Sequence, residues 1–255
     1  MSSSAPAISV LILTCNEAAS LTVLLPELAR LMAQADRAYE VVVIDADSPD
    51  GTVAVARRHG ARAITQTGNG YASALREGLA ACQGQYIVTL DADMSHRAEV
   101  VSTLLAAAED ADLVIASRYV DGGRADMRWD RRLLSMLLNR LFGAILRMPT
   151  RDLSSGFRVY RRAALTTLAP SGRHFDILPE LAALAHFGGL RVQEIPFHYR
   201  PRLAGVSKAR VFRFAPAYLN TLFRCWQIKN RATSTKTRAS VRGLDRLPPV
   251  SGREE

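Results

Sequence analysis

Four apolar runs in this chain end abruptly on polar or charged residues, and that pattern restricts the architecture more than any other feature. Ile8 to Leu13 (ISVLIL) runs into Thr14, Cys15, Asn16 and Glu17. Tyr39 to Ile44 (YEVVVI) stops at Asp45, Tyr86 to Leu90 (YIVTL) at Asp91-Ala92-Asp93, and Asp112 to Ser117 (DLVIAS) at Arg118. Runs this short, continuous and rich in β-branched residues read as strands buried on both faces. Asp and Glu are poor residues inside a strand, so the acidic ends mark where the chain leaves the core. Between the runs lie helical patterns: Leu21, Leu24, Leu25 and Leu28; a segment opening near Thr52 after the turn DSPDG; Tyr71 to Cys82; and Ala98 to Glu109. Ala61 to Thr65 adds a shorter strand. Strands alternating with helices build βαβ units and a mostly parallel sheet. Ligands in such sheets sit beyond the carboxyl ends of strands, where Asp45, Asp91, Asp93 and Arg118 stand.

The second half is less regular. Asp130 to Met148 reads as an amphipathic helix whose apolar side includes Leu133, Leu137, Leu141, Phe142 and Ile145, punctuated by Arg131, Arg132, Arg140 and Arg147. RDLSSGFRVYRR follows as a loop entering a strand, then a helix from about Leu178 to Phe187 and a strand from Leu190 to Ile195. From Arg210 to Ile228 aromatic and aliphatic residues alternate with basic ones, as in helices lying in a membrane interface. From Lys229 onward the chain is polar, with seven Lys or Arg against three Asp or Glu, and is expected to be a disordered basic tail.

The 255 residues, 48% hydrophobic and 22% charged, suit one large α/β domain or two small ones. A net charge of +9 implies an anionic partner: nucleic acid, a phosphorylated small molecule or an acidic membrane face. Three widely spaced cysteines show neither a disulfide framework nor a zinc motif, and the amino terminus lacks a secretory signal. No run reaches the roughly 18 apolar residues of a membrane span. The expectation is a cytoplasmic protein, soluble or peripheral at the cytoplasmic membrane face.

Asp91 and Asp93 carry the strongest chemical signal. Residues i and i+2 of a strand point the same way, so both carboxylates can converge on a hard cation such as Mg2+ or Mn2+, which prefers oxygen and commonly also holds substrate phosphate. Asp45 is placed to accept hydrogen bonds from a base edge or ribose, while Asp47 and Asp50 are expected to shape a turn and cap a helix. Gly68 and Gly70 precede a helix but form no phosphate-loop motif, so an ordinary tight turn is expected. Arg118, Arg131, Arg158 and Arg202 are scattered and converge only if the fold brings them together; guanidinium groups bind phosphate in bidentate fashion. His96, His174, His186 and His198 form no ligand-spaced cluster and read as local hydrogen-bonding residues.

Taken in order, LTCNEAASL, VVVIDADSPDGT, TLDADMSH, ASRYVDGG, WDRRLLS, RDLSSGFRVYRR and EIPFHYRPRLAGVSKAR resemble the dolichol- or polyprenol-phosphate mannose synthases of glycosyltransferase family 2, from about Ile8 to Arg210. The chain departs from that pattern at Cys15, where members often carry Tyr, and in DAD before SPDGT. The resemblance implies a GT-A (Rossmann-like) α/β fold: one catalytic domain over 1–210, with a nucleotide-sugar half over 1–117 and an acceptor half over 118–210. An amphipathic helix over 211–228 and the tail over 229–255 complete the expected organisation. It implies inverting transfer of mannose from GDP-mannose to a polyprenyl monophosphate. Thr14, Asn16, Glu17, Asp45, Ala92 and Gly156 would line the nucleotide-sugar pocket. Asp91 and Asp93, with Ser95, would hold Mg2+ or Mn2+. Arg118, Arg131 and Arg202 would bind the acceptor phosphate, supported by Ser135, Ser155 and Lys208.

Implied partners are the sugar nucleotide, the polyprenyl monophosphate, an anionic membrane surface and, as an option, a separate membrane anchor protein. A phosphate monoester is largely dianionic near neutral pH, its second pKa being about 6, so this reaction needs no general base. Its problem is to bring two anions together. The alternatives are the same fold with a UDP-glucose type donor, or a soluble hydroxyl acceptor requiring a base near Ser154 and Ser155. Nucleic-acid binding is the remote alternative, because the basic residues are dispersed and Asp45, Asp91 and Asp93 would repel phosphate without a metal.

Overall fold

The computed structural model describes residues 5–35, 37–200 and 215–244, with side chains as far as Arg231 in the last helix. A seven-stranded sheet forms its centre. Strands β1 (Ile8–Thr14), β2 (Tyr39–Asp45), β3 (Arg62–Thr65) and β4 (Tyr86–Asp91) run parallel, with β2 and β4 on either side of β1 and β3 beyond β2. Helices α1 (Ala18–Gln34), α2 (Thr52–Arg58) and α3 (Tyr71–Ala81) make the crossovers. The alternation expected from the apolar runs is present, with strand boundaries moved by a residue or two.

Side chains of one strand point to opposite faces. Tyr86, Val88 and Leu90 of β4 enter one apolar cluster with Ile8, Val10 and Ile12 of β1, while Ile87 and Leu11 enter the other. Both faces are covered, which is why these strands read as continuous apolar runs. Burial pushes the thiols of Cys82 and Cys225 up to about 12, so both behave as small apolar side chains.

Past β4, α4 (Val100–Ala107) leads to β5 (Leu113–Ser117), which does not pair with β4. Between them lies β7 (Arg158–Arg161), antiparallel to both, giving the order β3-β2-β1-β4-β7-β5-β8 with β8 at Val192–Pro196. This insertion builds the site. Because β7 runs the opposite way, its entry loop sits at the exit of β4, with Thr89 facing Arg158 in register. The Thr89 hydroxyl donates to the carbonyl of Gly156 at 2.7 Å, tying the loop beside Asp91.

A second, two-stranded sheet of β6 (Arg124–Ala125) and β9 (His198–Tyr199) was not foreseen from sequence; two residues carry no periodicity to read. Helix α5 (Trp129–Leu146) precedes the β7 loop; the short α6 (Arg162–Leu165) and α7 (Ile177–Phe187) follow it. The expected amphipathic C-terminal helix is α8 (Ala215–Leu244). Its Tyr218 packs edge-on against Phe142 of α5 at 6.3 Å between centroids, and its Thr221 donates to Asp176 at 2.6 Å. The helix runs past Lys229, where a disordered tail was expected to begin. No proline or glycine interrupts 229–242, and the Ala, Lys and Arg there tolerate helix. No helix among the described residues is long and apolar enough to cross a membrane.

Candidate active site

The exits of β1 and β2 are laced together. Asp45 is wholly buried; its carboxylate accepts the Thr14 hydroxyl at 2.8 Å, the Ser48 amide at 2.7 Å and the Ser48 hydroxyl at 2.8 Å. The amides of Asn16, Glu17 and Ala18 donate to Ser48, Thr52 and Asp50 at 2.7, 3.0 and 3.0 Å. Asp50 thus takes the structural role expected of it. Asp45 differs from the expectation of a carboxylate open to a nucleoside: with three hydrogen bonds already accepted, it braces the loop that carries Asn16 and Glu17. The amides of Thr67 and Gly68 are occupied by the carboxylate of Glu77 at 2.7 and 3.1 Å, while Gly70 turns the chain at φ 79°. The loop before α3 is therefore an ordinary tight turn.

At the exit of β4, Asp91 and Asp93 part company. Asp91 keeps 41% of its side chain exposed and faces a cavity of about 230 Å3. Asp93 is nearly buried, and the amide of Ser95 donates to it at 3.0 Å. Ala92 lies between them in the core and does not line the cavity. The amide of Asp91 donates to Nδ1 of His96 at 2.9 Å, which fixes the neutral tautomer with the proton on Nε2, 3.7 Å from the Asp91 carboxylate. Burial lowers the His96 pKa below its usual 6.5 despite the charge of Asp91, and Phe157 stacks on the ring at 4.8 Å. Burial, and then the Asp91 charge, raises the Tyr71 pKa well above 10, so its hydroxyl stays a donor beside this loop.

The far wall of the cavity comes from the second half of the chain. Arg118 and Arg131 line it, with the hydroxyl residues Ser135, Ser154 and Ser155, and apolar side chains complete it. Arg118 is not free to act alone. Its Nε and Nη2 clamp the buried Asp152 at 2.8 and 2.7 Å, its own amide donates to the same carboxylate at 2.9 Å, and Nη2 also reaches Ser154 at 2.9 Å. Burial alone would raise the Asp152 pKa; the Arg118 charge outweighs it and holds the carboxyl below its ordinary 3.8. Arg131 is exposed on the first turn of α5, and Ser135, one turn on, lies 3.2 Å from Ser154. Gly156 completes the floor: a Cβ there would stand 3.0 Å from the Tyr71 hydroxyl and 3.8 Å from Oδ1 of Asp91.

One arginine has a different place from that first expected. Arg158 is wholly buried and donates to three carbonyls, those of Ser155, Leu178 and Leu153, at 2.7, 2.9 and 2.7 Å. It supports the 153–156 loop from below instead of facing a ligand. Sequence reading also missed Asp152, Glu77 and Arg158 as organisers; a buried position at the start of a strand was the available signal for the last. Arg202 and Lys208 lie outside the described residues. Thus Asp91, Arg118, Arg131, Ser135, Ser155 and Gly156 share one cavity. Thr14, Asn16, Glu17 and Asp45 lie at the neighbouring strand exits, and Asp93 and Ser95 sit beneath the acidic turn.

The acidic turn has the chemistry of a hard-cation site. Its donors are all oxygen, and the Ser95 hydroxyl is buried beside it with no hydrogen-bond partner. No group of three or more His, Cys, Asp or Glu side chains suited to a metal occurs among the described residues.

The model for "Glycosyl transferase family 2" matches residues 9–168. The chain is 32% identical over 219 residues to the polyprenol monophosphomannose synthase of Mycolicibacterium smegmatis, covering 78% of this chain and 79% of that one. It is 31% identical over 214 residues to the dolichol-phosphate mannosyltransferase of Pyrococcus furiosus, covering 80% of this chain but only 59% of that longer protein. Among solved structures, glucosyl-3-phosphoglycerate synthase of Mycobacterium tuberculosis with Mn2+, UDP-glucose and phosphoglyceric acid superposes with a TM-score of 0.69 at 21% identity, over 87% of this chain and 80% of that one. The likeness supports the GT-A type fold.

Proposed function

The chain belongs to glycosyl transferase family 2, and from that premise we propose that it transfers mannose from GDP-mannose to a polyprenyl monophosphate at a membrane face. The observation that carries this reading is the shared cavity: Asp91 on one side, Arg118 and Arg131 on the other, and apolar side chains such as Leu134, Leu138 and Phe175 between. A recess both cationic and apolar suits an acceptor that is phosphate at one end and hydrocarbon behind it. Similarity to two proteins named for mannosyl transfer to polyprenol or dolichol phosphate points the same way.

The protein's own groups then have simple tasks. The attacking phosphate oxygen is already ionised near pH 7, so no base is required. His96 is not equipped to be one: Nδ1 is engaged by the Asp91 amide and Nε2 carries the proton. Arg131 and the remaining guanidinium donors of Arg118 neutralise and aim the acceptor phosphate, with Ser135 and Ser155 beside it. Gly156 leaves room for the sugar to approach the backbone. Asp91 and Asp93 would hold Mg2+ or Mn2+, whose charge offsets that of the leaving diphosphate. Exposed apolar side chains on α5 and α8, Trp129 and Leu137 on one and Phe223 on the other, form the face we assign to the membrane that carries the acceptor.

A donor panel against a short polyprenyl phosphate tests the reading, with a neutral polyprenol as control acceptor and EDTA as chelator. Mannose should pass from GDP-mannose to the phosphate acceptor only, stop with EDTA and return with added Mg2+ or Mn2+. Preference for UDP-glucose would overturn the donor, and strong transfer to the neutral alcohol would overturn the acceptor.

A further inference from the structure

Helix α5 has three distinct faces beyond its buried one. With about 3.6 residues per turn, Arg131, Leu134, Ser135 and Leu138 fall on the side of the acceptor cavity. Asn139, Phe142 and Leu146 point into the core. Opposite the core, where a surface helix is normally polar, lie Trp129, Leu133 and Leu137, exposed by 78, 59 and 62%. On the remaining side Arg132, Met136 and Arg140 border a second cavity of about 530 Å3.

That second cavity is not the acceptor site. Arg118 stands between the two, and the residues that close it from the loops are Tyr119, Thr150 and Arg151. Four arginines line it, and no acidic residue does among those described. Arg118 is clamped by Asp152 and Arg151 pairs with Asp121 at 3.3 Å, so Arg132 and Arg140 on α5 supply the remaining positive charge of the recess. Guanidinium groups on one wall suit a ligand that carries negative charge, phosphate above all.

We propose that this recess binds the phosphate headgroup of an anionic membrane lipid, while the neighbouring ridge of Trp129, Leu133 and Leu137 enters the apolar layer of the same leaflet. A lipid is favoured over a soluble anion because the ridge adjoins the recess on one helix, so headgroup and chain regions are offered side by side. α8 also exposes Leu219, Phe223 and Trp226, the last two stacked at 5.9 Å. The bound lipid is a docking ligand and not the acceptor. Seated this way, the protein would lie on the bilayer with α5 in the interface and the acceptor cavity on the adjacent flank of that helix. The inference rests on the membrane placement proposed above, but not on the donor or the sugar.

The test is partition of the full chain onto phosphatidylcholine vesicles with and without phosphatidylglycerol, measured without any transfer assay. Wild type should bind the anionic vesicles well and the neutral ones weakly. Each basic residue near an anionic surface contributes about fivefold, so Arg132→Ala with Arg140→Ala should weaken binding roughly twenty-five-fold. Arg57→Ala with Arg58→Ala, the same charge change on α2, should leave it unaltered. Equal losses in the two arginine pairs would mean diffuse attraction and overturn the recess. Saturable binding of glycerol phosphate without vesicle binding would assign a soluble ligand and overturn the lipid.

Discussion

Asp152 stands at the centre of the site's electrostatics without touching a substrate, and removing its charge gives a sharp prediction. The Arg118 side chain is 11% exposed and that of Asp152 is not exposed at all. Three donors of Arg118 converge on this carboxylate, and its own amide is anchored on Glu194 at 2.8 Å. A guanidinium does not deprotonate in a protein, so Asp152→Asn leaves a buried positive charge unpaired. Breaking a buried pair from one side costs about 3–5 kcal/mol. With an m value near 3 kcal/mol/M, the urea midpoint followed by far-ultraviolet circular dichroism should fall by roughly 1–1.7 M. The double variant Arg118→Met, Asp152→Leu should regain most of that loss, since replacing both partners by apolar groups is often close to neutral. The carboxyl of Asp152 is depressed in the folded state, so its contribution is complete above pH 3.8 and disappears as pH falls below it; Asp152→Asn should flatten that acid limb. A loss below about 1 kcal/mol, or single-variant losses that simply add in the double variant, would refute the clamp.

Three other expectations come from the same geometry. Gly156→Ala should keep its melting temperature within a few degrees, because only the Tyr71 hydroxyl is crowded, yet lose about a hundredfold in kcat/KM through the methyl placed toward Asp91; unchanged kinetics would move the sugar elsewhere. Arg158→Met strands three carbonyls and should cost about 3 kcal/mol or more in urea unfolding, with Arg158→Lys recovering part of it; a neutral Met variant would contradict the supporting role. The folded pKa of His96 lies below the unfolded 6.5, so the unfolded chain binds its proton first. Stability should therefore be full above pH 6.5 and decline by up to about 1.4 kcal/mol per pH unit below it, a slope that His96→Gln should remove in pH-dependent denaturation.

The strand exits were legible because a carboxylate at the end of an apolar run has one sensible location. Asp91 and Arg118 fell where that logic put them. The insertion of β7 was not legible: RVYR carries no mark of direction, and antiparallel entry between β4 and β5 is decided by long-range pairing. Yet that insertion is what brings Ser155 and Gly156 to Asp91. Arg158 and Asp152 escaped for a related reason. The role of a charged residue depends on its partners, and theirs lie 3 to 34 positions away. Helix α5 shows the limit of periodicity. Its apolar positions were read correctly, but a pattern of period 3.6 does not say whether a stripe faces the core or the outside, and here it is divided between both.

The backbone adds a reason to regard the acidic turn as purpose-built. Among the described residues, Asn16, Asp47 and Met94 adopt φ of 56, 57 and 63°, and each follows the end of a sheet strand within three residues. Asn and Asp tolerate that region because their short side chains bond locally; Met does not, and the conformation costs roughly 1–2 kcal/mol. Such a cost persists only where the surroundings over-determine it. Around Met94 they do: the Asp91 amide is held by His96, the Ser95 amide holds Asp93, and the His96 ring is locked between Phe157 and Phe197. A turn relaxed at Met94 would re-aim both carboxylates. The fold therefore keeps the strain and uses a neutral, buried histidine to fix it, which makes His96 a positioning residue for the acidic pair.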